Sequence, residues 1–267
     1  MFFLVLNCFL GSLKISSIPF KFSKTFFSST LFFFAERFQK FHPLKNFFSQ
    51  EFLVFQLLVF QLLVFQLLVF QLLVYQLLVL QLLLPFHFFY EKAGKSLPDF
   101  TFLEGEEVPY PYRSLLVHHN DMTPTLAAFH HSRVYLEVHE HEFSQEFVMR
   151  LVSLHAASSD KPVEYGAIAI QLASFSEEVR EEVIAGKKPL GGILGEHSVA
   201  HAGSPVAYFS VCADELMADA LGQGINEVLY GRCNQLLDES GAVFADIVEI
   251  LPRSNESENW VGSVTPI

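Results

Sequence analysis

Cysteine is scarce in this chain of 267 residues, which contains only Cys8, Cys212 and Cys233, with no two of them at the short spacing of a metal or redox site. Zinc ribbons, redox motifs and small disulfide-rich secreted folds all need several cysteines at short spacings. The sequence therefore excludes a cysteine framework. A reducing compartment is the simplest location for the folded part, and we expect that part to be cytoplasmic.

Acidic residues are nearly absent from the first third of the chain. Residues 1–90 contain two acidic residues against six Lys or Arg (6 − 2 = +4), whereas residues 91–267 contain 27 acidic residues against 11 basic ones (11 − 27 = −16). The two values sum to the net charge of −12. Segments this different do not form one domain. We expect two parts, residues 1–90 and residues 91–267, with the chemistry in the second.

Several functional signatures are also missing from the second part. No G-x-S-x-G or His-Glu-x-x-His motif occurs, so nucleophilic catalysis and a metalloprotease site lack support. The glycines of residues 191–195 lack the spacing of a dinucleotide fingerprint. Proteins bind the phosphate backbone of nucleic acids through clusters of Lys and Arg, and this part of the chain has no such cluster in its sequence. Nucleic acid is therefore not an expected partner.

Histidine is abundant, but its spacing does not predict a metal site. His139 and His141 share one face of a predicted strand, and His197 and His201 lie four residues apart. Neither pair has a third ligand at a regular spacing, and zinc sites in proteins use at least three protein ligands. We therefore expect no metal site.

Residues 52–84 repeat an uncharged five-residue unit, for example Leu53-Val54-Phe55-Gln56-Leu57. A helix turns ~100° per residue, so a residue that recurs every five positions moves around the whole circumference and leaves no polar face. As a helix, the repeat is long enough to cross a ~30 Å hydrocarbon layer. Two interpretations stay open, a membrane or targeting segment and translated repetitive sequence, and membrane association follows only if residues 1–90 are made in cells.

Six segments of the second part are rich in Val, Ile, Tyr and Phe and predict strands. They are Arg133–Glu142, Glu146–Ala156, Val163–Leu172, Val206–Cys212, Glu227–Leu237 and Val243–Leu251. Helices are expected between them, capped by Ser176 and Asp214, and a short one is expected after Thr123. Short polar links at residues 157–161 and 239–241 indicate hairpins. The pattern predicts an α+β domain with a single, mostly antiparallel sheet of about six strands.

Two charged residues interrupt apolar strands. Arg150 lies within Phe147–Val152, and Glu249 lies within Ile247–Leu251. A strand that is apolar on both faces is usually buried, and a buried ion must be paired or hold a ligand. From periodicity alone both a structural ion pair and a ligand site remain possible.

A series of short motifs, in this order and spacing, resembles the chorismate lyase family over residues 112–252, about half of the chain. The motifs are Asp121-Met122-Thr123, Arg150 on a strand, residues 161–166 (KPVEYG), residues 188–191 (KPLG), residues 229–232 (LYGR) and residues 249–252 (EILP).

This resemblance implies an antiparallel sheet with helical flaps over an internal, water-excluding ligand site without a cofactor. Arg150 would then bind the ring carboxylate, and Glu249 would hydrogen-bond the ring hydroxyl. Backbone groups near Met122, Leu190 and Gly191 would complete the site. The implied activity is that of a carbon–oxygen lyase that splits chorismate into 4-hydroxybenzoate and pyruvate, a step of ubiquinone-type biosynthesis.

The chain departs from the family at three points. Lyases of this kind often carry Arg where this chain has Ala167 and Gly192, and Glu249 lies one residue closer to the following Leu-Pro, so a β-bulge is expected to keep it inward. The alternative is a non-catalytic domain of the same fold that binds a small aromatic acid, as in effector-sensing modules of transcription regulators. Those modules normally follow a helix-turn-helix, and residues 1–90 contain nothing like one.

Overall fold

The five-residue repeat forms one uninterrupted helix, α1 (Gln50–Leu82). The structure, a computed structural model, describes residues 50–254, with side chains from Val54 onward. From Val54 to Leu82 the helix has 29 residues and is long and apolar enough to cross a membrane, and no residue of its most apolar stretch is buried in the protein. Length and composition alone are weak evidence of a membrane span.

The chain divides into two compact units, residues 1–81 and residues 82–267. The second unit begins at Leu82. Its first element is helix α2 (Leu84–Lys92), which has Pro85 in its first turn and buries Phe86, Phe89 and Tyr90. The ring of Phe86 packs edge-on against that of Tyr165, with the centroids 5.5 Å apart. These aromatic residues belong to the core of the second unit, although their sequence context resembles the apolar segment before them.

The second unit is an α+β structure with one antiparallel sheet, as the sequence predicts, and the sheet has seven strands where about six were expected. The strands are β1 (Phe100–Leu103), β2 (Val134–Phe143), β3 (Phe147–Ala156), β4 (Lys161–Gln171), β5 (Ala202–Cys212), β6 (Val228–Leu237) and β7 (Val243–Leu251). Their order across the sheet is β1-β5-β6-β7-β4-β3-β2, and every neighbouring pair is antiparallel. This architecture is consistent with the fold that the resemblance implies.

The remaining helices connect the strands and cover the sheet. They are α3 (Tyr112–Leu116), α4 (Met122–Phe129), α5 (Glu177–Ala185), α6 (Leu190–Glu196) and α7 (Glu215–Leu221), with 3₁₀ turns at Gly105–Glu107 and Leu172–Ser174. The predicted caps are present, because Ser176 accepts a hydrogen bond from the Val179 amide and Asp214 accepts one from the Met217 amide. Helix α4 begins at Met122 rather than after Thr123.

Two apolar clusters lie on the same face of the sheet, one towards each end of the strands. Helices α5 and α6 pack with Val148 and Ile170 in the first cluster. Helices α3 and α4 pack with Leu154 and Leu251 in the second. The stretch of sheet between these clusters carries the polar side chains described next.

Candidate functional site

Buried polar and charged side chains are concentrated on one face of the sheet. Among the described residues, the buried polar and charged ones are Arg150, Ser153, Glu164, Arg232, Asn234 and Glu249. Four of them, Arg150, Glu164, Asn234 and Glu249, line one cavity of about 80 Å³. A cavity that gathers this many buried polar groups is the strongest candidate site of the unit.

Strand register places these side chains on a common face. Arg150 of β3 pairs with Ile168 of β4, which pairs with Ile247 of β7. One step along the same face, Gly166 of β4 pairs with Glu249 of β7. Arg150 and Glu249 thus lie on strands two apart, about 10 Å across the sheet at the usual strand spacing. The β4–β7 register is continuous through Glu249, so the β-bulge expected from the sequence is not needed there.

Gly166 lies on the floor of the cavity between the two charges. A Cβ atom at this position would lie 2.8 Å from the carbonyl oxygen of Val248 and 3.4 Å from Oε1 of Glu164. A larger residue would therefore collide with the sheet backbone and crowd the cavity. Glycine keeps this part of the floor open.

Arg150 has an unusual environment for a cation. Its side chain is 1 % exposed, and its Nη1 donates to the carbonyl oxygen of Lys188 at 3.3 Å. Its buried Nε has no hydrogen-bond partner. Within residues 54–254 no carboxylate lies within 4 Å of the guanidinium. Burial lowers the pKa of Arg150 to about 10, so the side chain is still a cation at neutral pH. A buried cation without an anion is costly, and a bound anion would relieve that cost.

Glu249, in contrast, has a charged partner. Nε of Arg232 donates to its Oε2. The other guanidinium nitrogens of Arg232 donate to the carbonyl oxygens of Leu116 (3.2 Å), His118 (3.0 Å) and Asn120 (3.2 Å). Arg232 therefore compensates Glu249 and also fastens the segment before α4 to the sheet. The structural ion pair considered for Glu249 is present, while Arg150 has no such pair.

Glu164 is a second buried carboxyl at the cavity. It is 5 % exposed, and its Oε2 has no hydrogen-bond partner. Burial, and then the charge of Glu249, raise the pKa of Glu164 well above its ordinary value. The neutral form of this carboxyl is therefore favoured over the charged form.

Arg232 and Glu164 had no predicted role, although each is part of one of the short motifs named above. Both carry the signal that singled out Arg150, a charged residue inside a largely apolar strand. Applying that criterion to every strand would have found them.

The starts of helices α4 and α6 close the cavity. Met122, Leu190 and Gly191 all belong to its lining, with Arg150 and Glu249. Asp121 lies between the two helix starts, where its Oδ2 is 3.1 Å from Nε2 of His201, and a Cβ atom on Gly191 would lie 3.4 Å from the same oxygen. This contact to His201 explains why α4 begins at Met122 without a side-chain cap. The structure thus brings together all five residues that the resemblance predicts for the site.

A larger cleft of about 490 Å³ lies elsewhere in the unit. It is lined in part by Phe89, Leu151 and Tyr165, together with Lys92. Lys92 is exposed and paired with Glu140 and Glu142. Leu151 and Tyr165 alternate with Arg150 and Glu164 along their strands, so the cleft is on the opposite face of the sheet. Its lining contains no buried charge without a partner, and the smaller cavity is therefore the better candidate.

Comparison with known proteins gives similarity of structure only. No protein-family model and no curated protein matches the chain. Among solved structures, PhnF from Mycobacterium smegmatis is 8 % identical with a TM-score of 0.41, and its effector domain is 9 % identical with a TM-score of 0.39. The match covers 51 % of this chain and 65 % of PhnF, or 49 % of this chain and 87 % of the effector domain.

A third similar structure is the ligand-binding domain of a protein assigned to the GntR family of transcriptional regulators, from Bordetella bronchiseptica. It is 15 % identical with a TM-score of 0.37, and the match covers 45 % of this chain and 85 % of that domain. Similarity at these identities and TM-scores is not evidence of function.

Proposed function

We propose that the second unit binds a small ring acid with one carboxylate, and that it does so as a ligand-binding domain without turnover. The observation that carries this proposal is the state of Arg150, a guanidinium that is 1 % exposed, lines the cavity and has an unpartnered Nε. A carboxylate accepts two parallel hydrogen bonds from a guanidinium. A bound carboxylate would supply both the missing charge and the missing acceptor.

The charge of the cavity favours a monoanion over a dianion. Arg232 is already occupied by Glu249 and three carbonyl oxygens, so among the described lining residues Arg150 is the one cation available to a ligand. Chorismate carries two carboxylates. Residues 167 and 192, where lyases of this kind often have Arg, are Ala and Gly in this chain. A second carboxylate would therefore lack a cation.

The rest of the lining suits a ring. Apolar side chains surround the polar groups and include Leu136, Val152, Leu154, Ile168, Leu190 and Ile247. Burying apolar surface stabilises a complex by roughly 25 cal/mol per Å². The cavity of about 80 Å³ is small, so a compact acid is expected.

Calorimetric titration of the full chain in detergent with benzoate tests this proposal. We expect Arg150→Met to weaken binding at least about 30-fold, because loss of a charge-assisted hydrogen bond to a buried carboxylate costs about 2 kcal/mol or more. The control is Arg133→Met, the same change at an exposed arginine. Equal affinities of the wild type and Arg150→Met would contradict the proposal.

The lyase reaction is a second candidate, because Arg150 and Glu249 line one cavity from the same face of the sheet. In that reaction Arg150 would fix the ring carboxylate and Glu249 would stabilise charge at the ring hydroxyl during loss of pyruvate. Incubation of the full chain with chorismate separates the two functions. Formation of 4-hydroxybenzoate and pyruvate in equal amounts, lost in Arg150→Met, would establish the lyase. Ring-acid binding without these products would support the ligand-binding domain.

The proposed partners and location follow from charge and from α1. Residues 91–267 have 27 acidic against 11 basic residues, so we do not propose that this part contacts nucleic acid. We propose a cytoplasmic location for the second unit. We also propose that α1 attaches the protein to a membrane if residues 1–90 are expressed.

A further inference from the structure

We propose that Glu164 is a specificity-determining residue that donates a hydrogen bond from a protonated carboxyl to an oxygen at the end of the bound ring acid farthest from Arg150. This inference rests on the proposed function and identifies the ligand class more closely. The resemblance to the chorismate lyase family gives no role to this position.

The first support is the hydrogen bonding of Glu164. Its Oε1 lies beside Gly166, 3.4 Å from where a Cβ atom would be. Glu164 lines the cavity, and its Oε2 is buried without a hydrogen-bond partner among residues 54–254. A buried polar atom in a native protein is almost always satisfied, so an unsatisfied one in a cavity indicates a missing partner. A ligand atom in the cavity would be that partner.

The second support is the set of charges around Glu164. No basic group of the described chain lies within 4 Å of its carboxyl. On the neighbouring strands Glu249 and Arg232 already neutralise each other, and His118 contacts Arg232 rather than Glu164. On the flap side Asp121 is engaged by His201. A second negative charge beside Glu249 would have no counter-ion, so Glu164 keeps its proton and acts as a donor.

The third support is the distance between Arg150 and Glu164. Arg150 pairs with Ile168, and Glu164 lies four residues before Ile168 on the same face of β4. Four residues of a strand span roughly 13 Å. Both side chains line the same cavity, and this separation leaves room for one ring between them. The two groups therefore contact opposite ends of the ligand, and the expected class is a ring monoacid with a hydroxyl or carbonyl oxygen opposite its carboxylate.

Two ligands of equal shape test this role. 4-Hydroxybenzoate has a hydroxyl oxygen that can accept a hydrogen bond, and 4-methylbenzoate has a methyl group at the same position. Each acid is titrated into the full chain in detergent. We expect the wild type to prefer the hydroxyl compound about tenfold, which corresponds to ~1.4 kcal/mol. Glu164→Gln still has an N–H donor and should keep most of the preference. Glu164→Leu has no donor and should bind the two acids about equally.

Two results would overturn the role of Glu164. One is a preference that persists in Glu164→Leu, and the other is a preference lost equally in Glu164→Gln, which would show that an ionised carboxylate is needed. Failure of both acids to bind the wild type would overturn the proposed function as well.

An infrared difference spectrum of the ligand-free wild type against Glu164→Gln tests the protonation without any ligand. A protonated carboxyl band at neutral pH is expected. Its absence would contradict the proposed donor even if ring acids bind.

Discussion

Arg150 and Glu249 line the same cavity from the same face of the sheet, but only Glu249 has a charged partner in the described chain, namely Arg232. This difference separates a structural ion pair from an open anion site. Arg232 already donates to four acceptors, namely Glu249 and three backbone carbonyl oxygens. The guanidinium of Arg150 retains capacity for a ligand.

The Arg232–Glu249 pair should be important for stability. Arg232→Met would leave Glu249 buried without a counter-ion, and removing one partner of a buried pair costs about 3–5 kcal/mol. The free energy of unfolding is measured by denaturant titration followed by near-ultraviolet circular dichroism. As a control, Lys92→Met breaks exposed ion pairs and should cost less than about 1 kcal/mol. A cost for Arg232→Met as small as the control would contradict this prediction.

Gly166→Ala should destabilise the unit by about 1–3 kcal/mol, because its Cβ would lie 2.8 Å from the Val248 carbonyl oxygen. The same substitution at Gly192 meets no atom within 4 Å and should have little effect on packing. Thermal denaturation of the two variants provides the comparison. Equal melting temperatures for Gly166→Ala and the wild type would show that the floor of the cavity can move.

Stability should depend on pH through Glu164. Its pKa is raised in the folded state, so its neutral form is favoured there. The contribution of Glu164 to stability is complete below the pKa of the unfolded chain and is lost as the pH rises through the folded pKa. Relative to Glu164→Gln, which cannot ionise, the wild type should therefore lose stability as the pH increases. Melting temperatures of both proteins over a pH series check this, and a constant difference would contradict it.

The sequence predicted the features that depend on local signals. The caps at Ser176 and Asp214 and the strand Val243–Leu251 occur as expected, since side-chain type and periodicity specify them. Strand β5 begins at Ala202 instead of Val206, because Gly203, Ser204 and Pro205 have little strand propensity and are held by pairing with β6.

The features that the sequence did not predict depend on distant partners. The strand Phe100–Leu103 is only four residues long and exists through its pairing with β5, more than 100 residues later. The pairing of Arg232 with Glu249 follows from β6–β7 register. The sequence identifies each charged residue in an apolar strand, but it does not show which of these residues form ion pairs with each other.

Helix α1 should hold the full chain in the membrane fraction. Its apolar residues from Val54 to Leu82 are not buried in the protein. Replacing Leu67 and Leu72 by Lys should release the chain, since each charge at the centre of a membrane helix costs roughly 2.5–3.5 kcal/mol. After an alkaline wash, immunoblots measure how much of each protein is in the membrane pellet and how much is in the supernatant. The control carries Lys at Ile225 and Val228, which are exposed in the second unit, and should stay in the pellet. Recovery of the unmodified chain in the supernatant would contradict membrane attachment.

Arg150 should hold the carboxylate of a ring acid inside the small cavity. A crystal structure of the protein with bound 4-hydroxybenzoate tests this directly. We expect carboxylate oxygens about 2.7–2.9 Å from the guanidinium nitrogens of Arg150, with the ring under α4 and α6. Density for the acid only in the opposite cleft beside Phe89 and Tyr165, with Arg150 unoccupied, would contradict it.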